Sequence, residues 1–480
     1  MNARSAWRLL SAPLTTGTVS DKIRDNWQTM GSGAMTGMTV SGPNSNPASV
    51  GFDYTTPQYS MKTWDAATQA FVPVMNTLTT SLYNPNGYFT FIRGDRTVIP
   101  FGQGETKLAA IGSLKTGNAS VATSSSTDGY TMIGNPYASA IDLLTFHVEN
   151  SSSNVKSNYY YWDPYLTGVW GVGGYVTVSI DNANNVTITP ETPGTKGDET
   201  RYLQSGQAMF VQSRTNGVGN ASVTFTENQK SYNVANNIFR TQGSQVDNIR
   251  VNLNVLSSGS AVLLDGIVAA FNPSYASGID NYDAHKIMNI GESISFMTKG
   301  IALSVDRRSE INTTDVLNIN LTALKSTATY QLEIRPSLSV TGLNAFLVDN
   351  YLKTSTPIDL TKGTTVDFTV NSDAASTGAN RFVISFAKPS IVFAGKEGIN
   401  VFPNPVTNGV INLQMNNMAA GIYNVRVFNN LGQAVVNQQI NHSAGNNTQV
   451  IRLGSAPKGI YQLEVVKPDN SKLSLKVVAN

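Results

Sequence analysis

The chain contains no cysteine, which removes disulfides, thiolate zinc sites and thiol nucleophiles from consideration. A large exported protein can fold without such staples, because disulfides matter most to small domains that cannot bury a core. With 480 residues and 40% apolar content, this chain can bury one. Charge is scarce too. Lys, Arg, Asp and Glu supply 13% of residues, about half the usual quarter, and the net balance is only +2. No strong field would steer nucleic acid or an anionic membrane to such a surface, so no nucleic-acid partner is expected. No apolar run approaches the roughly 20 residues that span a bilayer as a helix. The opening "MNARSAWRLLSAP" has neither a long apolar core nor a small-residue cleavage site. The chain is therefore expected to start inside a longer natural protein, or behind an export signal already removed.

Histidine is nearly absent: His147, His285 and His442 are the three present. None lies in an HExxH spacing, and neither a GxSxG elbow nor a Gly-rich phosphate loop occurs. With no legible nucleophile–base set, no enzymatic activity is expected, and the histidines read as surface or turn residues.

What fills the sequence instead is Asn, Thr, Ser and Gly around period-2 alternation. Clear cases are "ASVTFT" (221–226), "IRVNLNVL" (249–256), "YQLEIRP" (330–336) and "RFVISFA" (381–387). Alternation places one set of side chains on a core face and the other in water. Only "SDKIRDNWQTM" and "SAIDLLTFHVE" have the spacing of short helices. The reading is all-β: tandem jelly-roll-like sandwiches ending in a small Ig-like sandwich.

Three stretches of the first half recur in order. "WRLLSAPLTT" from Trp7 lines up with "YTMIGNPYAS" from Tyr130, "TWDAATQAFVPV" from Thr63 with "YWDPYLTGVWGV" from Tyr161, and "GYFTFIRGD" from Gly87 with "GQAMFVQSR" from Gly206. They predict a duplicated β lobe over 1–125 and 126–243. The break at "FRTQGSQVDN" opens a jelly-roll-sized set of strands over 244–387. "AKPSIVFAGKEG" supplies a linker over 388–398, and a final module occupies 399–480.

In that module Ile411, Leu413 and Met415 alternate with polar residues, as do Tyr423, Val425 and Val427. Asn430-Leu431-Gly432 and Pro468-Asp469-Asn470 are turn signals. Some 80 residues holding about seven strands make a small sandwich, with Leu413, Tyr423, Val425, Leu463 and Leu475 as its expected core. Gly421 and Gly459 each precede Ile-Tyr at a strand start. Pro403 and Pro405 stiffen the entry and belong at an edge.

Here the residues carry a resemblance. "VFPNPVTNG", "GIYNVRVFNNLGQAV", "KGIYQLEVV" and the terminal "LKVV" resemble, in the right order, the C-terminal sorting domain of type IX secretion substrates of Bacteroidota. The positions that match are Pro403, Asn404, Pro405, Gly409, Gly421, Tyr423, Leu431, Gly432, Gly459, Tyr461, Lys476 and Val477. The close "VVAN" departs from the family's basic ending, and Phe402 replaces the commoner Tyr. The resemblance implies secretion through the periplasm and outer membrane to the cell surface or medium. Its implied partners are the outer-membrane translocon with its shuttle and sortase components, and anionic lipopolysaccharide after cleavage. "WRLLSAP", "YTMIGNPYASAID", "GYFTFIRGDR" and "DGIVAAFNPSY" are similar to stretches that recur upstream of this domain in very large surface proteins of these bacteria. A structural or adhesin-type role is expected, with the non-catalytic end of an exported hydrolase and a carbohydrate-binding module as alternatives.

Three further stretches offer chemistry. Arg93-Gly94-Asp95 spells an integrin-type motif, but at a strand end it is ordinary turn chemistry. Asp280 and Asp283 in "SGIDNYDAHK", with Asp265 nearby, could offer oxygen ligands to Ca²⁺, although Asx-rich turns cap their own backbone without metal. The aromatic run "YYYWDPYLTGVWGVGGY" (159–175) could stack surface glycans if exposed; its repeat partner instead points to Trp64 and Trp162 as core anchors.

Overall fold

A computed structural model of the chain describes residues 5–15, 20–29, 37–94, 96, 106–166, 173–191, 201–214, 219–231, 246–340, 342–386, 398–402, 404–406, 409–454 and 457–479. The linker 387–397 and the break at 241–245 therefore lie outside the described residues. Strands dominate, and no helix among the described residues is long and apolar enough to cross a membrane. The fold is all-β.

Two compact units form. The first comprises Met1–Glu310, Leu321–Leu338 and Thr365–Asn371. Its leading sheet uses β1 (Ala6–Leu10), β2 (Met61–Asp65), β3 (Ala70–Pro73) and β4 (Tyr88–Ile92), in the order β1-β4-β2-β3. A second sheet uses β5 (Tyr130–Gly134), β6 (Val155–Asp163), β7 (Gly174–Ile180), β8 (Val186–Thr189) and β9 (Ala208–Ser213), in the order β5-β9-β6-β7-β8. The first four strands of each sheet thus follow one pattern: first, last, second, third. The three recurring sequence stretches fall on corresponding strands.

A shared aromatic core explains why these strands are so rich in rings. Trp7 stacks on Phe89 at 4.5 Å, Phe89 meets Trp162 edge-on at 5.1 Å, and Trp64 meets Phe210 edge-on at 5.0 Å. Edge-to-face and offset pairs of this kind add about 0.5–1.5 kcal/mol each beyond area burial. Of the expected helices, "SAIDLLTFHVE" forms α1 (Leu143–Glu149). Asp142 caps it by accepting from Leu144 N at 3.0 Å. "SDKIRDNWQTM" yields only one widened turn, Arg24–Gln28.

A further set of strands in this unit runs in the order 293–298, 301–308, 260–271, 247–257, 329–337, 364–369. All of these pairings are antiparallel except the parallel match of 260–271 with 301–308 among those whose register is given.

The second unit comprises Ile311–Asn320, Ser339–Thr364 and Ser372–Asn480. The stretch expected as one sandwich over 244–387 therefore contributes strands to both units. Its tail is built from β10 (Gly398–Phe402), β11 (Val410–Phe428), β12 (Ala434–Arg452), β13 (Gly459–Val466) and β14 (Lys472–Ala479). Where about seven strands were expected, the described residues of the tail form five. The register of β11 against β12 shifts between Met415 and Met418, and Gly421 takes a φ of 154°. The long hairpin bends there and stays paired, so segments that read as separate strands are continuous. One half of β11 pairs with β10 and the other with β13.

The inward positions form one core: Ile411, Leu413, Met415, Tyr423, Val425, Val427, Leu463, Val465 and Val477 are all buried. Each such side chain contributes roughly 1.5–3 kcal/mol of burial. Leu475 faces the same way but is only partly buried, at the margin of that core. Gln414, also buried, donates Nε2 to Lys353 O at 3.1 Å within the same unit.

Candidate functional site

The matched positions of the tail have distinct jobs. Asn404 lies along the outer edge of β14, where its amide replaces a strand. Nδ2 donates to Lys476 O at 3.0 Å and Oδ1 accepts from Val478 N at 2.8 Å. Val406 continues the pairing by donating to Val478 O at 2.6 Å. The free edge of β14 is thereby covered by the segment that opens the module, which joins the first and last motifs directly. Asn404 and Pro405 are linked by a cis peptide; Pro403 lies outside the described residues. Gly409 has a φ of 65°, and a Cβ there would stand 2.7 Å from Gly454 O.

At the bend of β11, a Cβ on Gly421 would stand 2.5 Å from Pro468 Cγ. Tyr423 is buried, donates its hydroxyl to Ala419 O at 2.7 Å, and meets the buried His442 ring edge-on at 5.5 Å. Tyr461, opposite Val477 in the β13–β14 register, donates to Pro457 O. The turn 429–433 is held by Asn429 Oδ1, which accepts from Leu431 N and Gln433 N, both at 3.0 Å; Gly432 takes a φ of 76°. This rigid turn presents Leu431 at 77% exposure, the highest among the exposed large hydrophobic residues.

Three motifs remote in sequence converge here. Gly432, Tyr461 and Lys476 line one groove of about 570 Å³, together with Phe428 and Ile460. Sequence reasoning selected the motif positions without predicting this convergence, the edge role of Asn404 or the outward Leu431. A leucine inside an Asn-Gly turn was the one available signal.

The other candidates are engaged elsewhere. Asp283 accepts Arg307 N at 2.7 Å on Oδ1 and Asp280 N at 2.8 Å on Oδ2, while Asp280 Oδ1 accepts Tyr282 N at 2.8 Å. The two carboxylates thus cap their own turn. No group of three acidic, histidine or cysteine residues placed to hold a metal occurs among the described residues. Burial, reinforced by the charges of Asp306 and Asp280, pushes Asp283 up to about 7 against its two backbone hydrogen bonds. Asp265 pairs with Lys286 at 2.6 Å, both side chains buried. His147 sits 3.3 Å from the Tyr159 hydroxyl. His285 touches Lys156 Nζ at 3.2 Å and Gln212 Nε2 at 3.0 Å. Burial and the Lys156 ammonium push it down to about 4, so its ring is neutral near pH 7. Arg93 packs over Phe91 and Tyr54; Asp95 lies outside the described residues. Tyr159, Tyr160, Tyr161 and Trp162 are buried, so this part of the aromatic run is core.

Residues 36–386 match a family described as a domain of unknown function (DUF8693). The chain belongs to that family. Residues 400–480 of this DUF8693 protein match the secretion system C-terminal sorting domain, so it is a type IX secretion substrate. The sorting tail carries export across the outer membrane to the cell surface or extracellular space, and implies interaction with the type IX machinery. No curated protein matches the chain. Among solved structures it is similar to the β-glucuronidase of Parabacteroides merdae with glycerol in its active site, at 10% identity and a TM-score of 0.13, over 31% of this chain and 26% of that one. It is also similar to the BSP domain of a biofilm-associated protein, at 10% identity and a TM-score of 0.14, over 76% of this chain and 82% of that one. The DUF8693 protein spans about a quarter of the glucuronidase's length. Neither likeness carries an argument at these scores.

Proposed function

We propose that this DUF8693 protein is a non-catalytic structural or adhesive cargo, and that its tail is read by the outer-membrane translocon with its shuttle and sortase components. The observation that supports this reading is the groove where Gly432, Tyr461 and Lys476 meet beside the exposed Leu431. Gly432 and Lys476 are exposed there, while Tyr461 belongs both to the tail's core and to the groove's lining. On this reading the linker 388–398 is the place of cleavage, after which the cargo is joined to anionic lipopolysaccharide, and surface glycans are among what the exported part meets.

The test is a reporter fused to residues 387–480 and given a Sec signal in a type IX-competent host. It is expected at the cell surface or in the medium. Retention in the periplasm with the tail folded would overturn the reading. For the non-catalytic part, hydrolytic turnover by the purified chain that disappears on changing His147 or His285 would be decisive against it.

A further inference from the structure

Asp265 interrupts the apolar run of the strand 260–271, and its side chain is fully buried. The register of that strand against 247–257 shifts between Leu253 and Asn254, which face Asp265 and Leu263. Leu264 is thus an extra residue, and the strand bulges beside Asp265, a device that re-aims a side chain. Lys286 follows the short strand 284–285, and its backbone N–H donates to Ala302 O at 2.8 Å. Its Nζ lies 2.6 Å from Asp265 Oδ1, with side-chain exposures of 2% and 0%. The same oxygen accepts Gly266 N at 2.8 Å, while Oδ2 accepts Ile294 N at 3.0 Å. An ammonium carries three donors; Lys286 Nζ has this one carboxylate as its acceptor among the described residues.

A dry site penalises both charges, and their attraction offsets that cost only when further hydrogen bonds satisfy each ion. Burial raises the Asp265 carboxyl above its ordinary range, against the Lys286 charge and the two backbone donors. The short Nζ–Oδ1 hydrogen bond gives one ammonium proton a direct path to the carboxylate, which leaves an amine facing a carboxylic acid. A nitrogen so placed stands roughly 3.5 Å from the carboxyl carbon, the separation of a near-attack pair. Attack develops negative charge on Oδ2, where the Ile294 N–H is aimed as the donor of an oxyanion hole is.

We propose that Lys286 and Asp265 condense in the folded chain to an isopeptide cross-link. The Nζ–Cγ bond forms and the Cγ–Oδ1 bond breaks. Of the three ammonium protons, one stays on the amide nitrogen and two leave on Oδ1 as water, so no oxidant or co-reactant is needed. A neutral amide replaces two buried ions. The link ties the strand 260–271 to the segment behind 284–285, a covalent staple in a chain without cysteine. Lys156 provides the contrast. It is also buried and lies 2.8 Å from Asp128, but that carboxylate is 30% exposed, so water stabilises the ions and the pair should stay unlinked. The proposal does not depend on how the tail is read.

Mass spectrometry of the purified full chain tests it. The intact mass should fall short of the sequence by one water, and in Lys286→Arg it should return to the full value. An acylated Lys286 resists trypsin, so residues 251–299 should stay in one peptide, where a free Lys286 would be cut. Further chymotryptic cleavage at Phe271, Tyr275 and Tyr282 should leave the pieces holding Asp265 and Lys286 joined as a branched peptide. The denatured wild-type chain decides even should Lys286→Arg fail to fold. A full mass with linear peptides would overturn the proposal. So would the loss of water with normal cleavage after Lys286, the mark of a succinimide at Asp265-Gly266, and so would a branch joining any other pair.

Discussion

Asn404 holds Val478 through the backbone: its Oδ1 accepts the Val478 N–H at 2.8 Å while its Nδ2 reaches Lys476 O at 3.0 Å. One side chain thereby satisfies two ladder positions on the outer edge of the last strand. Asn404→Ala should remove both bonds and cost about 1 kcal/mol, because the site is exposed and water replaces part of the loss. Asn404→Asp should keep the acceptor for Val478 N and lose the donor to Lys476 O. Hydrogen exchange at the Val478 amide checks this. It should accelerate strongly in the alanine variant and much less in the aspartate variant; equal rates in both would show that the side chain does not hold the edge.

The two Gly-Ile-Tyr motifs separate a required glycine from a permitted one. At Gly421 a side chain meets Pro468 Cγ at 2.5 Å and the φ is 154°, whereas at Gly459 nothing lies within 4 Å and the φ is not positive. Gly421→Ala should cost roughly 1–3 kcal/mol through overlap and strain. Gly459→Ala should fall within about 0.5 kcal/mol of wild type. Urea denaturation of both variants provides the check. Equal losses would mean that the motif is sensitive for some reason other than backbone geometry.

What was legible in the sequence followed from local periodicity. Alternation located Ile411, Leu413 and Met415, and then Tyr423, Val425 and Val427, on the inner face, where they are buried. It could not show that 410–428 is one bent strand, because continuity depends on pairing with 434–452 and hydropathy carries no trace of that partner. The role of Asn404 was hidden for the same reason: its partners stand 72 and 74 positions away. Arg307 sits in "SVDRR" at a strand end, where charge reads as solvent-facing. The loop carrying Tyr275 and Tyr282 packs around it and buries it, a tertiary event with no local signature. Asp280 and Asp283 were legible as a polar turn, and their hydrogen bonds are those of a turn capping itself.

Asp283 should make stability fall as pH rises. Its carboxyl is pushed up from 3.8 to about 7 in the folded chain, so between these values the folded state binds more protons than the unfolded state. Stability therefore declines with increasing pH across that window, the reverse of a salt-bridged carboxylate. The contribution is fully present below about pH 4 and lost once the pH passes about 7, with an upper limit of about 4 kcal/mol at roughly 1.4 kcal/mol per pKa unit. Asp283→Asn cannot titrate. The unfolding free energy of wild type minus that of the variant should drop as pH is raised from about 4 to about 8. A flat difference would place the Asp283 carboxyl in the ordinary range.

Leu431 should matter to export and not to folding. Its backbone N–H is fixed by Asn429 Oδ1 at 3.0 Å and its neighbour Gly432 by a φ of 76°, yet 77% of the side chain is exposed. An apolar group held outward by a rigid turn gains nothing from the protein's own core, and beside a groove it suits a partner surface. Leu431→Glu should leave the unfolding free energy within about 0.5 kcal/mol of wild type, as surface substitutions do. In a type IX-competent host the same variant should leave more protein in the periplasm. Val450→Glu is the control: Val450 is 47% exposed on the long hairpin and does not line the groove, so its export should be unchanged. Normal export of Leu431→Glu would mean that the turn is not part of what the translocon reads. Equal defects in both variants would mean that added charge anywhere on the tail, and not the face around Gly432, Tyr461 and Lys476, is what blocks passage.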